Sequence, residues 1–168
     1  MNRYTAHGVR SQGWGVSNFI SEFTGMTNSV ITTATLNNQA AFVGPSVCCQ
    51  VAGFELADVF GAGFLNVSNV LAAVTVQHYP TNNCKINGRI INAQDIFTDF
   101  LNHTNAQYLV SLYLQDSADT LAAGKELVML EMNTASCGGF AGLSDSFGAA
   151  MWSVGVSPRS IETDGGTG

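Results

Sequence analysis

Short apolar runs alternate along the chain with longer stretches in which apolar residues recur at helical spacing. Three of the runs have the length of a strand and lie at residues 40–43, 72–77 and 127–130. Gly44 and Pro45 follow the first run and predict that its strand ends there in a loop. Helical spacing predicts helices at residues 14–26, 53–70 (weakly), 93–101, 104–114 with 116–121 as an extension, and 143–152.

The order of these elements favours a parallel sheet. Strands separated by helices are typical of α/β folds, in which crossover helices connect parallel strands. The strand runs are continuously apolar, as expected where both faces of a sheet are buried. We therefore predict three adjacent parallel strands in chain order. Ser46, His78 and Glu131 should lie on the rim where the carboxyl ends meet.

Ser144 and Asp145 are candidate N-caps of the last predicted helix.

The composition limits the kinds of molecule that the protein is expected to bind. Only 11% of the residues are charged, and the net charge is -6 with six Lys and Arg. So few cations cannot form a broad basic patch, which argues against nucleic acid. Neutral ligands rich in hydroxyl groups suit the remaining Asn, Ser, Thr, Gln and Gly better. No apolar run approaches the roughly 20 residues of a membrane span, and neither a metal nor a cofactor is predicted.

Length predicts a single folded domain. We assign residues 1–152 to this domain and expect residues 153–168, rich in Gly, Ser, Pro and Thr, to be a disordered tail. The first residues contain no apolar core of a signal peptide.

The four cysteines lack the paired spacing of a zinc site. The adjacent Cys48 and Cys49 are either a reactive pair or buried apolar residues of a strand, and the second interpretation is favoured. A disulfide between Cys84 and Cys137 would suit a secreted protein. The sequence alone leaves that pairing open.

One segment resembles a known family. The residues Glu131-Met-Asn-Thr-Ala-Ser-Cys-Gly-Gly-Phe-Ala-Gly-Leu-Ser-Asp-Ser-Phe-Gly-Ala-Ala-Met-Trp152 are similar to the nucleophile region of fungal glycoside hydrolase family 79. This family contains the β-glucuronidases related to heparanase. Two further segments are similar to other parts of its active-site sequence. They are residues 76–84, which resemble the preceding active-site strand, and residues 4–10, which resemble the stretch after the acid/base motif.

The resemblance implies a retaining glycosidase on a (β/α)8 barrel, in which Glu131 is the nucleophile. Retaining enzymes use two carboxyl groups about 5–5.5 Å apart, one as nucleophile and one as acid. The substrate implied is a glycan that contains glucuronic acid. Glycine-rich backbone N–H groups are good donors to the carboxylate of such a sugar. The expected substrate-binding residues are His78, Tyr79, Asn133, Ser136, Gly138 and Gly139.

The family's acid/base glutamate belongs to an Asn-Glu-Pro-Asp type motif that would precede Tyr4, and the sequence begins Met1-Asn2-Arg3. We therefore expect a partial (β/α)8 barrel, equivalent to the C-terminal half, that does not turn over natural glucuronides. A non-catalytic carbohydrate-binding protein and a non-functional fragment are the alternative interpretations.

Two further expectations follow from the predicted partial barrel and the resemblance. Unpaired strand edges predict self-association. The family resemblance implies an extracellular location.

Overall fold

Helices and strands alternate along the chain in the computed structural model. It describes residues 10–36, 40–49, 53–67, 69–84, 88 and 90–156. In chain order the elements are α1 (Val16–Thr33), β1 (Phe42–Cys48), α2 (Leu56–Gly61), a 3-10 helix (Phe64–Val67), β2 (Leu71–His78), β3 (Thr81–Asn82), α3 (Ala93–Leu101), α4 (His103–Ser111), α5 (Leu114–Ala122), β4 (Leu127–Met132), β5 (Ala135–Ser136) and α6 (Phe147–Gly155).

The three predicted strands form one sheet in the order β1-β2-β4. Strands β1 and β2 are parallel, with Cys48 opposite Gln77 at their carboxyl ends. Strand β4 lies beside β2, where the Val74 amide donates to the Glu126 carbonyl at 3.0 Å. Farther along, the Gln77 side chain reaches Glu131, so the contacts progress in the same direction along both strands. The prediction of an α/β fold with parallel strands and crossover helices is confirmed.

Strand β1 does not stop at Gly44 and Pro45, as the sequence predicted, but continues through both to Cys48. Proline cannot donate a ladder hydrogen bond and is tolerated on edge strands, and β1 lies at one end of the strand order. Gly44 gives room to Phe23, since a Cβ there would lie 3.0 Å from the Phe23 ring. Ser46 is therefore inside the strand, at a shift in register and with φ 58°, rather than on the rim beyond it.

Several helix boundaries differ from the predictions. Helix α1 continues seven residues past its predicted end, to Thr33. The stretch predicted as one helix and its extension is divided into α4 and α5. Helix α6 begins at Phe147 with Ser146 as its N-cap, because Ser144 and Asp145 accept hydrogen bonds from the preceding turn instead. It ends at Gly155, three residues past its predicted end. Residues 157–168, which make up most of the predicted tail, lie outside the described residues, so the tail stays a prediction.

The described residues divide into two compact units. One comprises the described parts of residues 1–77 and 116–131, and the other those of residues 78–115 and 132–168. In the first unit the rings of Phe19, Phe23 and Phe64 meet at centroid distances of 5.2–6.0 Å, and Phe23 and Phe64 belong to the buried apolar core. In the second unit α6 packs against α3 and α4, with Phe100 and Trp152 edge to face. No helix in the described residues is long and apolar enough to cross a membrane.

Candidate active site

Glu131 lies near the carboxyl end of β4, and its side chain is exposed. The side-chain amide of Gln77, at the carboxyl end of the adjacent strand β2, donates a hydrogen bond of 2.9 Å to Glu131 Oε2. A hydrogen bond to a carboxylate fixes its orientation. One oxygen of Glu131 is thus held by the protein, and the group is presented from a regular strand.

Gln77 was not among the residues predicted from the sequence. The sequence did not identify Gln77 because its contact with Glu131 depends on strand order. The two residues are 54 positions apart in the chain and meet only because β4 lies beside β2. One signal was available, since Gln77 is a single amide side chain at the end of an apolar strand and adjacent to His78. Alternation along the strand then directs Gln77 and His78 to opposite faces.

Cys48 and Cys49 form a disulfide with each other at the carboxyl end of β1. The favoured prediction of buried apolar cysteines is therefore wrong, because both residues are oxidised and only half-buried. Cys48 is the register partner of Gln77, and the Cys49 amide donates to the Gln77 carbonyl at 3.2 Å. Gln77 is consequently bonded on one side through its backbone to the disulfide and on the other through its side chain to Glu131.

His78 belongs to the second unit, where it is buried and bonded to a tyrosine. Its Nδ1 lies 2.7 Å from the Tyr113 hydroxyl, and the two rings meet edge to face. Burial lowers the pKa of the His78 imidazole, which favours the neutral ring. His78 also lines a cavity of about 460 Å³ together with Thr81, Tyr108 and Trp152. The substrate-binding role predicted for His78 stays a prediction.

The glycine-rich loop after β5 is fixed by several bonds of the second unit. Strands β3 and β5 pair in parallel, so that Asn82 lies opposite Ser136. The Asn83 side chain donates to the Gly139 carbonyl at 2.7 Å. A disulfide joins Cys84 to Cys137, which settles the pairing that the sequence left open.

Glycine is required at the end of this loop. Gly138 and Gly139 both have positive φ, and a Cβ on Gly139 would lie 2.7 Å from Ser144 Oγ. Ser144 Oγ is held in place by the Phe140 amide, which donates to it at 2.9 Å. The predicted residue Ser136 thus ends β5, and the predicted residues Gly138 and Gly139 lie in the constrained loop that follows it.

The remaining predicted residues lie near the strand ends. Tyr79 is half-buried between β2 and β3. Asn133 is exposed, and its Oδ1 accepts a hydrogen bond of 2.7 Å from the Thr134 amide. The described residues contain no group of three or more His, Cys, Asp or Glu side chains placed to hold a metal ion.

Comparison with known proteins supports the fold. No protein-family model matches the chain, and no curated protein matches it. A similar solved structure is the crystal structure of a 4-O-α-L-rhamnosyl-β-D-glucuronidase from Fusarium oxysporum 12S in complex with Rha-GlcA. The TM-score is 0.61 and the sequence identity 17%, over 89% of this chain and 30% of that chain. This chain thus spans about 30% of the length of that glycosidase, and its fold is that of part of a (β/α)8 barrel.

Proposed function

We propose that this chain carries part of the active site of a retaining glycoside hydrolase of the β-glucuronidase type, related to family 79. The single observation that carries the proposal is the geometry of Glu131. Its carboxylate is exposed at the carboxyl end of a parallel strand, the position at which such barrels hold reactive groups, and Gln77 orients it at 2.9 Å. The similarity of residues 131–152 to the family's nucleophile region supports the same assignment.

In this proposal Glu131 is the nucleophile. A lone pair of the Glu131 oxygen that Gln77 does not hold attacks the anomeric carbon, while the glycosidic C–O bond breaks. The electron pair of that bond goes to the leaving oxygen, which takes a proton from a second carboxyl group. Water then hydrolyses the glycosyl ester and releases Glu131. Of the two carboxyl groups in this mechanism, the resemblance matches only the nucleophile to a residue of this sequence. We therefore expect the complete reaction to need an acid group that this assignment does not include.

The proposed substrate is a glucuronic-acid-containing glycan, held through its carboxylate by the loop at Ser136, Gly138 and Gly139. Three consecutive residues with positive φ, from Cys137 to Gly139, constrain the backbone of this loop. Backbone amide groups in such turns are suitable donors to an anion, which supports the proposal. His78, Tyr79 and Asn133 are proposed to contact the sugar. The proposed location is extracellular, which the two disulfides support, because disulfides persist in oxidising compartments.

Covalent trapping tests this function. A 2-fluoro-glucuronosyl fluoride needs little acid assistance, so it should form one slow, stable adduct that intact-mass spectrometry detects. The Glu131→Gln variant should form none. The matched variant Glu126→Gln, with an exposed glutamate just before the other end of β4, should react like the parent protein. Robust hydrolysis of an unactivated glucuronide, or labelling of the Glu131→Gln variant, would contradict the assignment.

A second candidate is a carbohydrate-binding protein without catalysis. The disulfide-bonded loop favours it, because the loop's conformation depends on contacts of the second unit and not on Glu131. Binding of glucuronic acid by calorimetry, with no covalent adduct and with loss of binding in Gly139→Ala, would support this candidate instead.

A further inference from the structure

A continuous series of contacts connects the Cys48–Cys49 disulfide to the carboxylate of Glu131. The disulfide closes a ring at the end of β1, and the Cys49 amide within it donates to the Gln77 carbonyl at 3.2 Å. The Gln77 side chain then donates to Glu131 at 2.9 Å. All four residues belong to the first compact unit.

The ring determines the direction of the Cys49 amide. A disulfide between adjacent residues includes their shared peptide group in the ring, so the backbone torsions of both residues are restricted. Cys49 has φ 65°, in the left-handed region that residues with a Cβ seldom adopt. The Cys49 N–H belongs to the peptide group inside the ring, so its direction is set by the torsion about the Cα–C bond of Cys48, which the ring restricts. When the ring is open, the S–S bond no longer restricts this torsion, and the N–H is free to turn away from Gln77. The end of β2 loses that hydrogen bond to its neighbouring strand.

We propose that the Cys48–Cys49 disulfide is a positioning element of the Glu131 site. It holds the carboxyl end of β2 in place, so that the Gln77 amide remains directed at Glu131. The inference about the hydrogen bonds stands on the contacts alone, whereas its consequence for reactivity rests on the proposed function of Glu131.

The disulfide can be opened without changing the sequence, because both cysteines are half-buried and not fully enclosed. A water-soluble trialkylphosphine breaks the S–S bond and is oxidised to its phosphine oxide. One water molecule supplies the oxygen to phosphorus and one proton to each sulfur. Reoxidation re-forms the ring and should restore the site, which distinguishes positioning from irreversible damage.

The decisive readout is the side-chain amide of Gln77, observed by two-dimensional ¹H–¹⁵N NMR of the full chain. In the double variant Cys48→Ser with Cys49→Ser, we expect the Gln77 side-chain signal to move to the position of solvated glutamines. Hydrogen exchange at residue 49 should accelerate. The maximum rate of covalent labelling at Glu131 should fall about tenfold, as expected for the loss of one hydrogen bond to a charged group.

The matched control is Val59→Ala, which removes fully buried side-chain atoms of α2 in the same unit and is expected to lower stability while leaving Cys48, Cys49 and Gln77 unchanged in sequence. A role limited to stability predicts that both variants change the Gln77 signal equally, and that result would overturn the proposal. An unchanged Gln77 signal in the double serine variant would overturn it as well.

If the double variant does not fold, the phosphine experiment on the parent protein tests whether the disulfide positions Gln77. Alkylation and peptide mapping follow the opening of each disulfide, and the Gln77 signal should change in proportion to the opening of Cys48–Cys49. A signal that follows only Cys84–Cys137 would overturn the proposal. Failure of the proposed function has a different outcome: the Gln77 signal still depends on the disulfide, but the parent protein is not labelled at Glu131.

Discussion

Replacing Gln77 by Leu removes the hydrogen bond that orients Glu131 while keeping a side chain of similar volume. A hydrogen bond to a charged group contributes about 1.5–3 kcal/mol. Glu131 is exposed, so solvent screening reduces this contribution, and we take about 1–1.5 kcal/mol for the pair. If the bond orients the attacking carboxylate, its loss raises the barrier by that amount, which is about a tenfold slower reaction.

The assay is the rate of adduct formation with the 2-fluoro-glucuronosyl fluoride, measured at several reagent concentrations. The maximum rate should fall in Gln77→Leu. The concentration at half-maximal rate should change little, because Gln77 bonds to Glu131, the proposed nucleophile, and is not among the residues proposed to contact the sugar. Gln77→Asn keeps the amide but is one methylene too short, so it should behave like the leucine variant.

Gln107→Leu, an exposed glutamine on α4, is the matched control and should react at the parent rate. Equal maximum rates for Gln77→Leu and the parent protein would refute the conclusion that Gln77 positions Glu131.

Three further predictions concern stability and association. Tyr113→Phe removes the hydroxyl that pairs with the buried His78 and should cost about 1–3 kcal/mol in urea unfolding at neutral pH; an unchanged midpoint would show that the bond contributes nothing. Burial, and then nearby carboxylates, raise the pKa of Asp116, so its ionised form opposes folding as the pH rises above the unfolded value of about 3.9. Asp116→Asn should therefore raise the thermal midpoint at pH 7 but not at pH 3, and an equal effect at both would contradict this cause. Leu130, 56% exposed on the sheet-edge strand β4, should promote self-association through that edge. In sedimentation experiments Leu130→Lys should reduce the association and Leu121→Lys, 61% exposed on a helix, should not; equal effects would exclude the edge.

The sheet could be predicted from the sequence because the patterns that indicate its strands and the connecting helices are local. The apolar runs of β2 and β4 have strand length, and the helices between them have their own periodicity, so strand order and direction followed. The path of β1 could not be predicted in the same way. Gly44 and Pro45 are turn signals by local rules, but packing against Phe23 and an edge position allow both inside a strand.

The candidate site could likewise be predicted only in part from local sequence patterns. Glu131 was identified because it lies in a long segment similar to a known family. The partner of its carboxylate, Gln77, could not be identified, because a hydrogen bond between neighbouring strands depends on register and not on local pattern. The oxidation of Cys48 with Cys49 depends on a backbone conformation, φ 65° at Cys49, that the sequence does not reveal.

The most direct test of the central claim is to locate the covalent adduct at residue level. The parent protein is incubated with the 2-fluoro-glucuronosyl fluoride and digested at low pH, and the labelled peptide is fragmented by tandem mass spectrometry. We predict one glycosyl ester, on Glu131, in the peptide that continues β4 towards β5. An adduct on any other carboxylate would contradict it, and so would a parent protein that remains unlabelled while binding the sugar.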